Sequence, residues 1–272
     1  MKRKAIQQGL SPERQHYLQA VKRRKNIIQA WRIGVLVAFI AAWQLAASTG
    51  AIDSFVFSSP ARIVKTLGNM AQNQLAMHIG VTLYETLTGF VLGVVFGTVL
   101  ATALWSSTLL SRIAEPYLVV LNSLPKIALG PVIIIVAGAG TKAIIVMALA
   151  ISMIVTVLEM LAGFLSTDAE LVRMAATFGA NKRQIFFKVV LPANMGTLFN
   201  SLKINIGLSL VGVIAGEFLV SKAGLGYLIV YGGQVFQLDL VMASVIVLAL
   251  LAAGMYQSVV VLQHLVQRRF GQ

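Results

Sequence analysis

Cysteine is absent from the 272-residue chain. No disulfide and no cysteine-ligated metal site can therefore form, and cysteine usage leaves the redox compartment open. Histidine is scarce. His16, His78 and His264 are scattered without ligand spacing, so no metal site is assigned. Charge is scarce as well: 11% of residues are Asp, Glu, Lys or Arg, against about 25% in a soluble domain. No Gly-x-x-x-x-Gly-Lys-Ser/Thr stretch is present to cradle a phosphate. Gly138-Ala139-Gly140-Thr141-Lys142 looks similar, but the spacing is wrong and it falls at the end of an apolar run. The polypeptide is not expected to hydrolyse ATP by itself. Local motifs supply no nucleophile–base pair, so no catalytic residue is assigned. The first 26 residues are polar and basic and lack the apolar core and cleavage site of a signal peptide.

What is present is apolar sequence, 58% hydrophobic residues with a mean hydropathy of +0.84. Crossing a hydrocarbon core of about 30 Å takes about 20 apolar helical residues. Stretches near Ile33–Ser48, Ile79–Trp105, Tyr117–Ala137, Ala143–Leu165, Leu202–Val220 and Val241–Val266 are read as spans. The expected fold is an all-α integral membrane protein of about six transmembrane helices. Its parts are a basic cytoplasmic arm (1–32), a first span with an external loop (33–78), a core (79–266) and a cytoplasmic tail (267–272). Ser58-Ser59-Pro60 is placed to start a short amphipathic helix through about Gln72, and Ser11-Pro12 a short helix in the arm. The net charge of +13 would suit a nucleic acid, but the placement of the charges points to membrane topology. With the N-terminus inside, 18 of the 22 Lys and Arg residues fall on the cytoplasmic side. Membrane lipid is thus the expected partner of the basic arm, and nucleic acid is not.

The longest polar interruption in the second half is Ser166 to Pro192, STDAELVRMAATFGANKRQIFFKVVLP. It reads as two short helices around a tight break. Thr167 with Glu170 is a candidate capping box for the first. Gly179 suits a left-handed C-cap after Phe178. Asn181 with Gln184 starts the second helix, and Pro192 is expected to end it. Ile185, Phe186 and Val189 would form the apolar side, with Lys182, Arg183 and Lys188 in water. Such a knob between spans (166–192) is shaped to dock into something soluble.

Within the spans, Gly89, Gly93 and Gly97 form one narrow stripe, and Gly212 and Gly216 another, as expected of tight helix packing. Pro125 and Pro131 should kink or break the third span, which suits a helix lining a pathway. Three carboxylates fall inside spans and should face the bundle interior or water. Glu85 and Glu159 lie near span ends, where both can reach water. Glu217 sits deeper and is the strongest pathway candidate, alongside the alternative of a buried, hydrogen-bonded carboxyl that organises packing.

The knob also resembles the coupling loop of permease subunits of bacterial ABC importers. There, Glu-Ala-Ala precedes a glycine by three residues, and the glycine precedes Ile-x-Leu-Pro by nine. Here Gly179 is followed at the same spacing by Val189 and Leu191-Pro192, while Arg173, Met174 and Ala175 stand at the Glu-Ala-Ala positions. Only Ala175 matches, so the acidic half of the motif is missing. Further landmarks are similar to the sulfonate, taurine, nitrate and thiamine-precursor group. They include Ser58-Ser59-Pro60-Ala61, His78 with Thr82-Leu83, Leu124-Pro125-Lys126, Gly130-Pro131, Ala215-Gly216-Glu217 and Gly224-Leu225-Gly226. The resemblance implies a permease in a bacterial inner membrane, with both termini cytoplasmic. It implies pairing with a second copy, two separate ATPase subunits that bind ATP and Mg, and an external binding protein delivering a small solute. It marks Arg173, Ala175, Phe178, Gly179, Lys182, Arg183, Ile185, Phe186 and Pro192 as ATPase-coupling residues. The rival class is an ion-gradient-driven secondary transporter with Glu217 as its coupling site.

Overall fold

Helix α1 begins at Pro12, where a fixed φ and a missing N–H cost nothing in the first turn. No further proline occurs before Pro60, and Gly34 stands in open space, so nothing stops the helix before Ser48. The computed structural model describes residues 12–72 and 74–269; residues 1–11 of the expected arm, with Ser11, and 270–272 of the tail lie outside them. The expected boundary at 32/33 is not a structural one. Basic segment and first span are a single helix, with a membrane-length apolar stretch at Tyr17–Ser48.

The chain divides into two units, Met1–Lys65 and Thr66–Gln272. The first holds α1 and α2 (Ser54–Phe57), with Asp53 capping α2 by accepting from Phe55 N–H at 2.8 Å. It also holds the start of α3 (Pro60–Gln72), the expected amphipathic helix. Sequence reading missed α2.

The second unit contains α4 (Leu75–Trp105), α5 (Thr108–Ser123), α6 (Gly130–Ala137), α7 (Thr141–Leu165), α10 (Met195–Val220), α11 (Leu225–Gln234) and α12 (Leu238–Arg269). Two further short helices, α8 (Ala169–Thr177) and α9 (Lys182–Ile185), interrupt it between α7 and α10. Counting α1, five helices are long and apolar enough to cross a membrane among the described residues. The bent pair formed by α5 and the Lys126–Ala137 segment makes a sixth if its two arms are one span.

That pair is the expected third span, broken at Pro125. Tyr117–Ala137 is not one kinked rod but two arms meeting at 84°. The break sits at Leu124, whose ψ of 139° is the extended geometry a following proline demands. Lys126 turns back to donate to the Asn122 carbonyl at 2.8 Å, satisfying an orphan group at the end of α5. Pro131 causes no kink, because it lies in the first turn of α6.

Helix α7 is the centre of the bundle, packed mainly against α4 and α10. Each neighbour approaches it through glycine. Gly89, Gly93 and Gly97 of α4 lie over Ala148, Ser152 and Thr156, and Gly212 and Gly216 of α10 over Ala148 and Ile144. Lipid offers helices no hydrophobic drive to associate, so close backbone packing has to supply the attraction. A Cβ on Gly212 would lie 2.7 Å from Ala148 Cα, a backbone atom that cannot swing aside. Gly207, on the same helix, faces open space. We expect Gly212→Ala to destabilise the bundle by about 1–3 kcal/mol. Gly207→Ala should gain about 0.5–1 kcal/mol from helix propensity alone. Thermal unfolding in one detergent would rank the two variants on opposite sides of wild type; equal shifts would refute the packing assignment.

Candidate functional site

Two constructions stand out, one at the α7–α10 connection and one buried between α4, α10 and α11. The first is the knob. Its first helix, α8, is capped by Asp168, whose Oδ1 accepts from Glu170 N–H at 2.8 Å. Thr167 is therefore not the cap. Its hydroxyl instead accepts from Asn194 Nδ2 at 2.8 Å and ties the two ends of the knob together.

Gly179 has φ +80°, the left-handed geometry that disfavours a side chain. The amides of Gly179 and Ala180 donate to the carbonyls of Ala176 and Ala175, a complete Schellman closure. Asn181 and Gln184 then bond reciprocally, each at 2.9 Å, opening α9 with the expected capping box. The helix does not end at Pro192. A π turn over Phe186–Val190 carries it on through Leu191–Ala193. In an α-helix the proline ring would clash with the carbonyl four residues back. The wider turn, in which Leu191 N–H reaches the Phe186 carbonyl, changes that register.

The two sides of the knob differ from the expected assignment. Ile185, Phe186 and Val190 are buried, and Val189 only partly so. The Phe186 ring lies 5.2 Å from both Trp105 and Phe164, centroid to centroid. Ile185 and Phe186 thus anchor the knob to its own bundle rather than face a partner. Ala175 is half-buried against the same cluster. The outward ridge is Leu171 and Met174 on one face of α8 with Phe178, the residue that caps its end, 84% exposed. Leu171 and Met174 were missed; their spacing relative to Phe178 was the available signal. Arg173 and Lys188 are exposed beside this ridge. Lys182 reaches the Ser106 carbonyl at 3.4 Å, and the Arg183 guanidinium lies 6.0 Å from the Phe187 ring centre.

The second construction explains Glu217, which is 1% exposed. Its Oε1 accepts from the Thr82 hydroxyl at 2.7 Å and its Oε2 from Gly226 N–H at 2.5 Å; Tyr227 N–H also contributes. The carboxylate thereby caps α11 from a neighbouring helix, where backbone N–H groups and the helix dipole favour negative charge. It occupies the space a Cβ on Gly224 or Gly226 would fill. Thr82 in turn accepts from Leu225 N–H at 2.8 Å, and His78 Nδ1 from Gly224 N–H at 3.0 Å. His78, Thr82 and Glu85 share one face of α4. Glu85 does not reach water as expected: it is fully buried beside Thr141 and Glu217. Glu159 is partly buried, with its Oε2 enclosed and unpartnered. Pro131 lines a separate apolar cavity of about 650 Å³, together with Ile127, Leu210, Ile214 and Phe218. Pro125 sits at the bend and is not among its lining residues. Among the described residues no cluster of His, Asp or Glu could hold a metal ion.

Residues 89–272 match the family of binding-protein-dependent transport system inner membrane components. The chain belongs to that family. It is accordingly the permease subunit of a binding-protein-dependent ABC importer, a multi-pass membrane protein of the inner-membrane type and not an enzyme. The "Probable ABC transporter permease protein" of Haemophilus influenzae is 30% identical over 85% of this chain and 93% of its own length. The taurine transport system permease protein TauC of Escherichia coli is 26% identical, covering 81% of this permease and 82% of the relative. An inward-facing structure of the MetNI methionine ABC transporter shares the fold, with a TM-score of 0.65. The match covers 72% of this permease and 97% of that chain, at 19% identity.

Proposed function

We propose that two copies of this permease form one translocation path driven by two separate ATPase subunits, which bind the ATP and Mg. The knob at 166–192 lies on the cytoplasmic side and takes up their movement; both chain termini lie on that side too. The observation that carries this reading is the knob itself. It is closed at every helix end, anchored inward through Phe186, and presents Phe178 outward at 84% exposure. Capped helices on an aromatic anchor move as a rigid body, which transmitting a push requires.

An external binding protein delivers the solute, a small molecule of the sulfonate, taurine, nitrate or thiamine-precursor kind. The apolar cavity beside Pro131 faces the path. Its lining has no charged side chain to hold an anion, so selectivity rests with the binding protein. Reconstitution tests the whole. Uptake into proteoliposomes should require the permease, a co-purifying ATPase, ATP and the binding protein together. Uptake by the permease alone under an ion gradient would overturn the proposal in favour of a secondary transporter.

A further inference from the structure

Glu85 is the one buried carboxylate of the α4–α10–α11 network that the cap does not use. It is fully buried, and neither of its oxygens has a hydrogen-bond partner. It lies eleven residues into a membrane-length helix and beside a second buried carboxylate, Glu217. Neither has a lysine or arginine partner among the described residues. Two negative charges at this spot, inside a bundle in lipid, would be left without any compensating cation.

The hydrogen-bond directions decide which group is neutral. Thr82 accepts from Leu225 N–H, so its own hydrogen is free to point at Glu217, and the distances fit that donation. Gly226 and Tyr227 add backbone N–H groups to the same carboxylate. Glu217 thus receives only donors and is built to be negative. Glu85 receives no backbone N–H. It has beside it the Glu217 carboxylate and the Thr141 hydroxyl, both able to accept a hydrogen.

We propose that Glu85 holds a resident proton, a buried carboxylic acid whose O–H is directed at Glu217 of α10 or Thr141 of α7 and which fastens α4 to that neighbour. A metal cation fits the place less well. The Glu217 oxygens are already covered by hydrogens, leaving Glu85 and one hydroxyl where a hard cation needs six or so oxygens. The other titratable groups of the neighbourhood are committed or exposed. His78 is bonded to Gly224 and stacked on Tyr227, while Lys142 and Lys222 are exposed. The proton belongs to the bundle and is not cargo, so the inference stands apart from the source of transport energy.

Infrared difference spectroscopy of the reconstituted permease tests it. At neutral pH the wild type should show the carbonyl stretch of a protonated carboxylic acid, shifting in D2O. That band should be missing from Glu85→Gln and kept in a variant at Glu159, the other carboxylate with an unpartnered buried oxygen. Glu85→Gln should fold and keep the wild-type melting temperature, since it retains a donor and needs no charge at this place, whereas the apolar Glu85→Met should fold with a lowered one, since it loses the fastening hydrogen bond. A spectrum with no band attributable to Glu85 would overturn the proposal. So would a band lost in Glu217→Gln but not in Glu85→Gln, or a melting temperature that rises with added sodium in the wild type and not in Glu85→Gln.

Discussion

Glu217→Ala is expected to lower the melting temperature of the permease more than any other single carboxylate replacement in the spans. The substitution leaves the Thr82 hydroxyl and the Gly226 and Tyr227 amides facing a hole, each without an acceptor. An orphaned buried donor costs about 1–3 kcal/mol, so the loss is on the order of 3 kcal/mol or more. The hole cannot close by collapse, because Gly224 and Gly226 carry no side chain to fill it. Damage should begin at α11: amide hydrogen exchange at Gly226 and Tyr227 should speed up before exchange elsewhere in the bundle. Glu217→Gln keeps one acceptor oxygen and should fall between Ala and wild type. Should Glu217→Ala melt with the wild type, the carboxylate is not the cap of α11.

The same network shows what could be read from the sequence and what could not. The landmarks around His78, Thr82, Glu217 and Gly224-Leu225-Gly226 are separated by up to 148 residues. In the structure they converge on one helix start. Composition and spacing mark each of them, but no local rule says that a carboxylate on one helix caps another. Glu85 shows the same limit from the other side. Its place in an apolar helix was plain, yet whether it reached water depended on how α10 and α11 cover α4.

Local chemistry was the legible part. Asn181 with Gln184, and Gly179 after Phe178, concern backbone groups a few residues apart, and the structure closes them as the spacing requires. Asp168 took the cap in place of Thr167, its neighbour, because both residue types serve that role and only the tertiary bond from Asn194 separates them. Pro192 misled for a related reason. Proline stops an α-helix, but a π turn changes the register, and nothing in FFKVV announces one. Five of the spans followed from hydropathy alone, whereas the 84° bend at Pro125 needed the packed structure to show its size.

Phe178→Asp should abolish coupled uptake while leaving the permease folded and in the membrane. The side chain is 84% exposed, so its replacement should change stability by no more than about 0.5 kcal/mol. In the proposed complex it is the apolar tip that enters the ATPase. An aromatic side chain buried at the centre of an interface is worth about 2 kcal/mol or more, about thirtyfold in affinity, and a carboxylate there adds a desolvation cost. The ATPase should no longer co-purify, and uptake should fall to background. Ile185→Asp is the necessary contrast. Ile185 is 8% exposed and packed inside, so that variant should lose uptake through collapse of the knob, with a lowered melting temperature and easier proteolysis at 166–192. Gly179→Val should act between the two, since a β-branched residue at φ +80° strains the turn without meeting any neighbour. Wild-type uptake by Phe178→Asp, at normal membrane levels, would remove the exposed ridge from the coupling surface and leave the knob without an established partner.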